Sequence, residues 1–283
     1  MIQSDPKTLV TTDWLAQNLS DPNIRVLDGS WHLPAENRDP FAEFKVEHIE
    51  GTQFFDIDAI SDTTSDLPHM IPSAEQFADQ VAALGISNDS KIVVYDTEGL
   101  FSAARVWWLF RYFGHMDIAV LDGGLKKWKA EERETTDQTT SAPAANMSAT
   151  ATPTMERKAA EVLNASKTLS AQILDARAPA RFKGEVSEPR AGLRSGHMPN
   201  AINVFFKSLL NDDGTLKSID ELHTILKAQG VDLNKPIITS CGSGVTASVI
   251  MLALQMIGHT DNALYDGSWS EWGGLHDYPV EQG

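Results

Sequence analysis

One cysteine, Cys241, stands among 283 residues, so no internal disulfide can form and a reducing, cytoplasmic setting is expected. Positive charge is also scarce: 23 Lys and Arg against 39 Asp and Glu leave a formal charge of −16. That balance excludes a nucleic-acid footprint and argues against an anionic membrane surface. A small anionic substrate, which needs only a local arginine patch, stays open. No apolar run approaches the roughly 18 residues that a membrane-spanning helix needs. The opening Met1-Ile2-Gln3-Ser4-Asp5-Pro6-Lys7 lacks the basic-then-apolar order of an export leader. No His-Glu-x-x-His, cysteine pair or calcium-loop spacing occurs, so no metal is expected, nor any other cofactor.

What is present is globular, 42% apolar and 22% charged, enough for one large domain or two of ordinary size. The lone cysteine sits in Ile237-Ile238-Thr239-Ser240-Cys241-Gly242-Ser243-Gly244-Val245-Thr246-Ala247. Ile237 to Thr239 reads as a buried parallel strand. From Thr246 an apolar helix runs on and is closed by Gly258. Cys241 therefore lies where a strand's carboxyl end meets a helix amino end, the place where parallel α/β sheets put ligand crevices. Gly242 and Gly244 admit backbone conformations closed to other residues, so several N–H groups can face one bowl that holds an anion. Such a bowl favours the thiolate, which is the nucleophile. The competing reading is a buried, inert thiol packed as a small hydrophobe.

Two halves of the chain repeat one order of elements. Strands at Ile24–Gly29, Thr52–Ile57, Lys91–Asp96 and Ile118–Asp122 alternate with helices at Thr12–Leu19, Ser73–Leu84 and Ser102–Phe113. After a Thr, Ser, Ala and Pro stretch from Thr135 to Thr154, read as an unpacked linker, strands return at Ile173–Ala176, Ala201–Val204, Ile237–Thr239 and Ala263–Asp266. Asp122 follows Thr97 by 25 residues, and Asp266 follows Cys241 by 25. His48 and His197 also occupy equivalent places, and a residue kept by both copies reads as structural. The chain is thus a tandem duplication of a doubly wound α/β domain, with Thr97 where the second copy has its cysteine. The expected division is residues 1–134, a linker over 135–157, and residues 158–283. One active site per chain is expected.

The duplication, with Cys241-Gly242-Ser243-Gly244-Val245-Thr246 in the second copy, resembles the rhodanese superfamily, and within it the tandem-domain 3-mercaptopyruvate sulfurtransferases. The likeness runs from about Thr12 to Trp272. It implies two tandem rhodanese-like domains, each a mostly parallel sheet flanked by helices. It also implies that Cys241 takes sulfur from 3-mercaptopyruvate as a persulfide, releasing pyruvate. The sulfur then passes to a thiol such as thioredoxin, to a small thiol, or to cyanide. The persulfide would be surrounded by the backbone of Gly242, Ser243, Gly244, Val245 and Thr246. Arg181 and Arg190 fall on the family's carboxylate-binding arginines, although a pairing of Arg181 with Asp175 would make it partly structural. Asp58 and His69 fall on an acid and a histidine that join Ser243 in a proton relay. Ser243 could instead merely cap the following helix.

Three other readings compete. A thiosulfate sulfurtransferase would want cations in the loop, where relatives preferring that donor carry Cys-Arg-Lys-Gly-Val-Thr. A phosphatase of the Cys-x5-Arg type would need arginine where Ala247 stands. A non-catalytic sulfur carrier would not need both arginines.

Overall fold

The computed structural model describes residues 8–283; the opening stretch read above for its lack of a leader lies outside the described residues. The chain divides into two compact units. The first holds the chain up to Thr63, Ile71–Thr152 and Leu210–Leu216; the second holds Thr64–Met70, Pro153–Leu209 and Lys217–Gly283. Each unit thus includes a short segment that the sequence places within the other copy.

In the first unit, β1 (Leu9–Val10), β2 (Ile24–Asp28), β3 (Gln53–Phe54), β4 (Lys91–Tyr95) and β5 (Ile118–Leu121) form one sheet in the order β1-β5-β4-β2-β3. Every pairing is parallel. Strands of such a sheet are covered on both faces, which is why β4 and β5 read as continuous apolar runs. The helices are α1 (Thr12–Asn18), α2 (Pro40–Val46), α3 (Ala74–Ala83), α4 (Ala103–Tyr112) and α5 (Gly124–Ala130). One core cluster joins Val10, Val26, Val93 and Leu121 of the sheet to Leu15 of α1 and Trp128 of α5.

The second unit repeats this plan. Its strands are β6 (Glu156–Arg157), β7 (Gln172–Asp175), β8 (Ala201–Asn203), β9 (Ile237–Ser240) and β10 (Asn262–Tyr265), ordered β6-β10-β9-β7-β8 and again parallel. Its helices are α6 (Ala159–Thr168), α7 (Pro179–Phe182), α8 (Ile219–Ala228), α9 (Ala247–Met256) and α10 (Ser268–Trp272). Helices α4 and α9 are ten residues each and open 144 residues apart, at Ala103 and Ala247. Strands β5 and β10 open at the same interval, at Ile118 and Asn262. The α/β duplication expected from spacing is therefore present element by element.

Ser73 caps α3 by accepting the Gln76 main-chain N–H, while the Gln76 side chain donates to the Ser61 carbonyl. A full capping box forms at Ser218 and Glu221, where each side chain takes the other's N–H. One detail differs from expectation. The stretch read as an unpacked linker has no α-helix and no regular strand, yet it is tied along the first unit. Thr136 exchanges main-chain bonds with His48, and Thr150 and Thr152 donate to the Phe113 and Tyr112 carbonyls. Its composition hides this, because main-chain bonds need no side-chain period.

His48 and His197 play one structural part twice. Each Nδ1 bonds a phenylalanine carbonyl, that of Phe44 at 2.7 Å and that of Phe182 at 2.9 Å. Each ring stacks on the same phenylalanine, with centroids 4.2 and 3.9 Å apart.

Candidate active site

Cys241 follows the last residue of β9 and opens the loop that feeds α9, whose first eight residues are all buried. Burying a Val, Leu or Ile side chain contributes about 1.5–3 kcal/mol, so this helix anchors the loop firmly. The thiol residue itself is 2% exposed, a degree of burial that taken alone favours an inert thiol. The main chain around it argues otherwise. Gly244 supplies a left-handed turn at φ +78°, as its residue type suggests. Gly242 does not adopt such a conformation. Arg181 approaches it closely instead: a Cβ there would sit a tight 3.3 Å from Nη2.

The first unit shows what this loop is shaped to hold. Asp96, one residue before Thr97, is 1% exposed. Its Oδ1 accepts from the N–H groups of Glu98 and Gly99, and its Oδ2 from those of Phe101, Ser102 and Ala103, all at 2.7–3.0 Å. Burial pushes the Asp96 pKa upward and these amides oppose the shift. Five donors aimed at two oxygens leave no acceptor for a carboxyl proton, so the cradle fits the anion. At the 144-residue interval those five positions are Gly242, Ser243, Val245, Thr246 and Ala247, and Asp96 becomes Ser240. The N–H groups of Gly242, Ser243, Val245 and Thr246 bond to no protein acceptor among the described residues. The first copy thus closes its cradle with a carboxylate, and the second copy has no such carboxylate at the matching position.

Ser243 does not cap α9; the cap position is Thr246, which makes no side-chain bond. The Ser243 hydroxyl lies 2.9 Å from Nδ1 of His69. His69 is 4% exposed and sits in the left-handed region at φ +61°, a conformation that costs a non-glycine residue energy and is kept where the surroundings impose it. It reaches the serine on the segment Thr64–Met70, which belongs to the second unit. Asp58 belongs to the first unit, where its carboxylate accepts from the Trp31 indole N–H at 3.2 Å.

The arginines are set by an ion network that the sequence reading missed. Asp175 pairs with Arg177, not with Arg181: Arg177 Nη2 lies 2.7 Å from Asp175 Oδ2. Arg177 also meets Glu188 Oε1 at 3.0 Å, and the other Glu188 oxygen takes Arg181. The side chains of Asp175, Arg177 and Glu188 are each 1% exposed, while that of Arg181 is 22% exposed. Burial alone would weaken the Arg177 charge, but its two carboxylates more than reverse that and hold it as a cation. The result is a fixed guanidinium, Arg181, lying against the cysteine loop. Arg190 is half-buried two residues beyond Glu188. Arg194 is structural, donating to the carbonyls of Trp272, Gly273, Leu275 and Tyr278.

Ser268 was not singled out from sequence. Its Oγ accepts from the N–H groups of Cys241 and Gly244 at 3.1 and 3.2 Å. The nearest signal is Asp266, two residues earlier, which the 25-residue interval from Cys241 marks.

A rhodanese-like domain model matches residues 11–131 and again 158–275. The chain is 45% identical to the 3-mercaptopyruvate sulfurtransferase of Escherichia coli K12, over 96% of this chain and 97% of that protein. It is 42% identical to the mitochondrial thiosulfate/3-mercaptopyruvate sulfurtransferase 1 of Arabidopsis thaliana, over 98% of this chain and 79% of that one. The crystal structure of SseA, a 3-mercaptopyruvate sulfurtransferase of Escherichia coli with the rhodanese fold, superposes with a TM-score of 0.86 at 43% identity, covering 93% of this chain and 99% of that one. Two matched copies in tandem, on two sheets of one strand order, place this chain in the rhodanese-like domain family.

Proposed function

We propose that this protein is a sulfurtransferase that moves sulfur from 3-mercaptopyruvate to a thiol or to cyanide. The Cys241 thiolate attacks the donor's sulfur, and the carbon–sulfur bond breaks. Its electron pair leaves on pyruvate enolate, which takes up a proton to become pyruvate. A persulfide stays on Cys241, and an acceptor thiolate or cyanide then attacks its outer sulfur. The observation that carries this reading is the set of amides at Gly242, Ser243, Val245 and Thr246 that find no protein acceptor among the described residues, at the positions whose counterparts converge on the Asp96 carboxylate. A persulfide is an anion two sulfurs long, its outer atom about 2 Å beyond Sγ, and such a cradle stabilises it as charge develops.

Arg181, with Arg190, is assigned the donor's carboxylate, which a planar guanidinium grips well. The Ser243–His69 pair is assigned the proton that the enolate needs. The loop itself carries no cation at positions 242 to 246, which favours a keto acid over the thiosulfate dianion. For the setting, the single cysteine favours a reducing compartment such as the cytosol. Among the described residues no helix is long and apolar enough to cross a membrane.

The test compares kcat/KM for 3-mercaptopyruvate and thiosulfate, with Arg190→Ala alongside. The keto acid should win by roughly a hundredfold or more, and the substitution should act chiefly on KM. Equal or better use of thiosulfate would overturn the donor assignment. Sulfur transfer surviving in Cys241→Ser would overturn the mechanism.

A further inference from the structure

We propose that Ser268 and Ser270, at the start of α10, are positioning residues that aim the loop's amides at the sulfur on Cys241; this rests on the sulfurtransferase reading. The amino end of α10 grips the loop from behind. Trp269 N–H donates to the Cys241 carbonyl at 3.0 Å. The Gly242 carbonyl is held twice by Ser270, by its N–H at 2.9 Å and by its hydroxyl at 2.6 Å. The Ser268 hydroxyl donates to the Tyr265 carbonyl at 2.8 Å while accepting from Cys241 and Gly244.

Peptide planarity converts this grip into direction. No peptide bond here is cis, and in a trans peptide the C=O and the following N–H point opposite ways. Holding the Cys241 carbonyl toward α10 turns Gly242 N–H away from it. Holding the Gly242 carbonyl does the same for Ser243 N–H. Those two donors match Glu98 and Gly99, which share one oxygen of Asp96 in the other copy. Ser268 occupies Gly244 N–H, the one donor in this run whose counterpart, that of Leu100, does not bind Asp96.

The other copy has neither hydroxyl. Gly124 stands for Ser268 and Lys126 for Ser270, and there Asp96 itself gathers the amides. Gly124 lies at φ +54° and Ser268 at φ +49°, a region that glycine enters freely and serine only at a cost. Keeping a serine there makes sense if its hydroxyl is needed beside the nucleophile.

The test uses Ser268→Gly, which preserves the backbone preference, together with Ser270→Ala and Ser270→Thr in the full chain. Two quantities are read: the single-turnover rate of persulfide formation from 3-mercaptopyruvate, and the donor-free alkylation rate of Cys241 by iodoacetamide. Ser268→Gly and Ser270→Ala should each slow both by about tenfold while leaving donor KM within about twofold. Ser270→Thr, which keeps the hydroxyl, should recover most of the loss. Unchanged rates in Ser270→Ala, or a loss confined to KM, would overturn the proposal. Should Ser268→Gly fold poorly, Ser270→Ala decides alone, because it removes one bond and leaves the main-chain bond to Gly242. Should the wild-type protein fail to transfer sulfur, the functional reading falls, and the alkylation rates still decide the clamp.

Discussion

Replacing Asp28 by asparagine should stabilise the protein at alkaline pH and hardly at all in acid. Asp28 ends β2 and is 1% exposed; its counterpart Asp175 ends β7 and is equally buried. Asp175 is neutralised by Arg177, but the residue two beyond Asp28 is Ser30, which brings no charge and donates its N–H at 2.9 Å. Burial, with nearby Asp96 adding repulsion, pushes the Asp28 carboxyl up to about 7. In the unfolded chain it would titrate near 3.8, the ordinary value of an aspartate. Between these values the folded state holds a proton that the unfolded state has released, so stability falls as pH rises through the window and levels off above it. A gap of about three units at 1.36 kcal/mol each caps the loss at about 4 kcal/mol. Asparagine keeps an oxygen for Ser30 N–H and has no proton to lose. Urea denaturation followed by tryptophan fluorescence at about pH 5 and about pH 8.5 should show Asp28→Asn gaining only at the higher value. Asp122, also raised to about 7 by burial, should leave a residual slope in the variant. A pH-independent difference, or a variant weaker at both values, would refute the reasoning.

Two further predictions concern the site. Gly242→Ala should leave folding intact, because Gly242 is not in the left-handed region, but its new Cβ would press on Arg181 at 3.3 Å. With Glu188 holding the guanidinium in place, kcat/KM for 3-mercaptopyruvate should fall by about tenfold, mainly through KM. An unchanged KM would remove Arg181 from the donor site. Ser243→Ala, which breaks the bond to His69, should slow pyruvate release by about a hundredfold without changing the alkylation rate of Cys241. A parallel fall in both rates would assign Ser243 to the thiol instead of to the departing enolate.

What sequence could reveal was whatever is local or repeated. The strand, glycine-spaced loop and helix around Cys241 are contiguous, and the 25-residue interval to Asp266 needs only counting. The edge strands β1 and β6 are two residues long, too short to show a period. Helices α5 and α10 begin at Gly124 and Ser268, each with φ above +45°, a start no cap motif announces. Glu188 lies inside Ser187-Glu188-Pro189-Arg190, but its value depends on Arg177, eleven residues back, and the tertiary fold brings the two together. His69 was placed by resemblance alone. A turn histidine carries no mark of the serine it will meet 174 positions later.

The two copies together explain why the loop survives without its nucleophile. An unpaired N–H costs about 1–3 kcal/mol once it is buried, so a set of converging amides is best kept with an anion between them. The first unit keeps the cradle and supplies a carboxylate of its own, Asp96, bonded to five amides. The changes around it agree: Thr97 replaces the thiol, Ser30 replaces Arg177, and Gly124 replaces Ser268. In the second unit Ser240 stands where Asp96 would be, so four of those amides bond to no protein acceptor among the described residues. On the proposed reading, an anionic sulfur on Cys241 would gain what Asp96 gains, with one difference. A tethered carboxylate stays, whereas a sulfur held through a single S–S bond could be handed on.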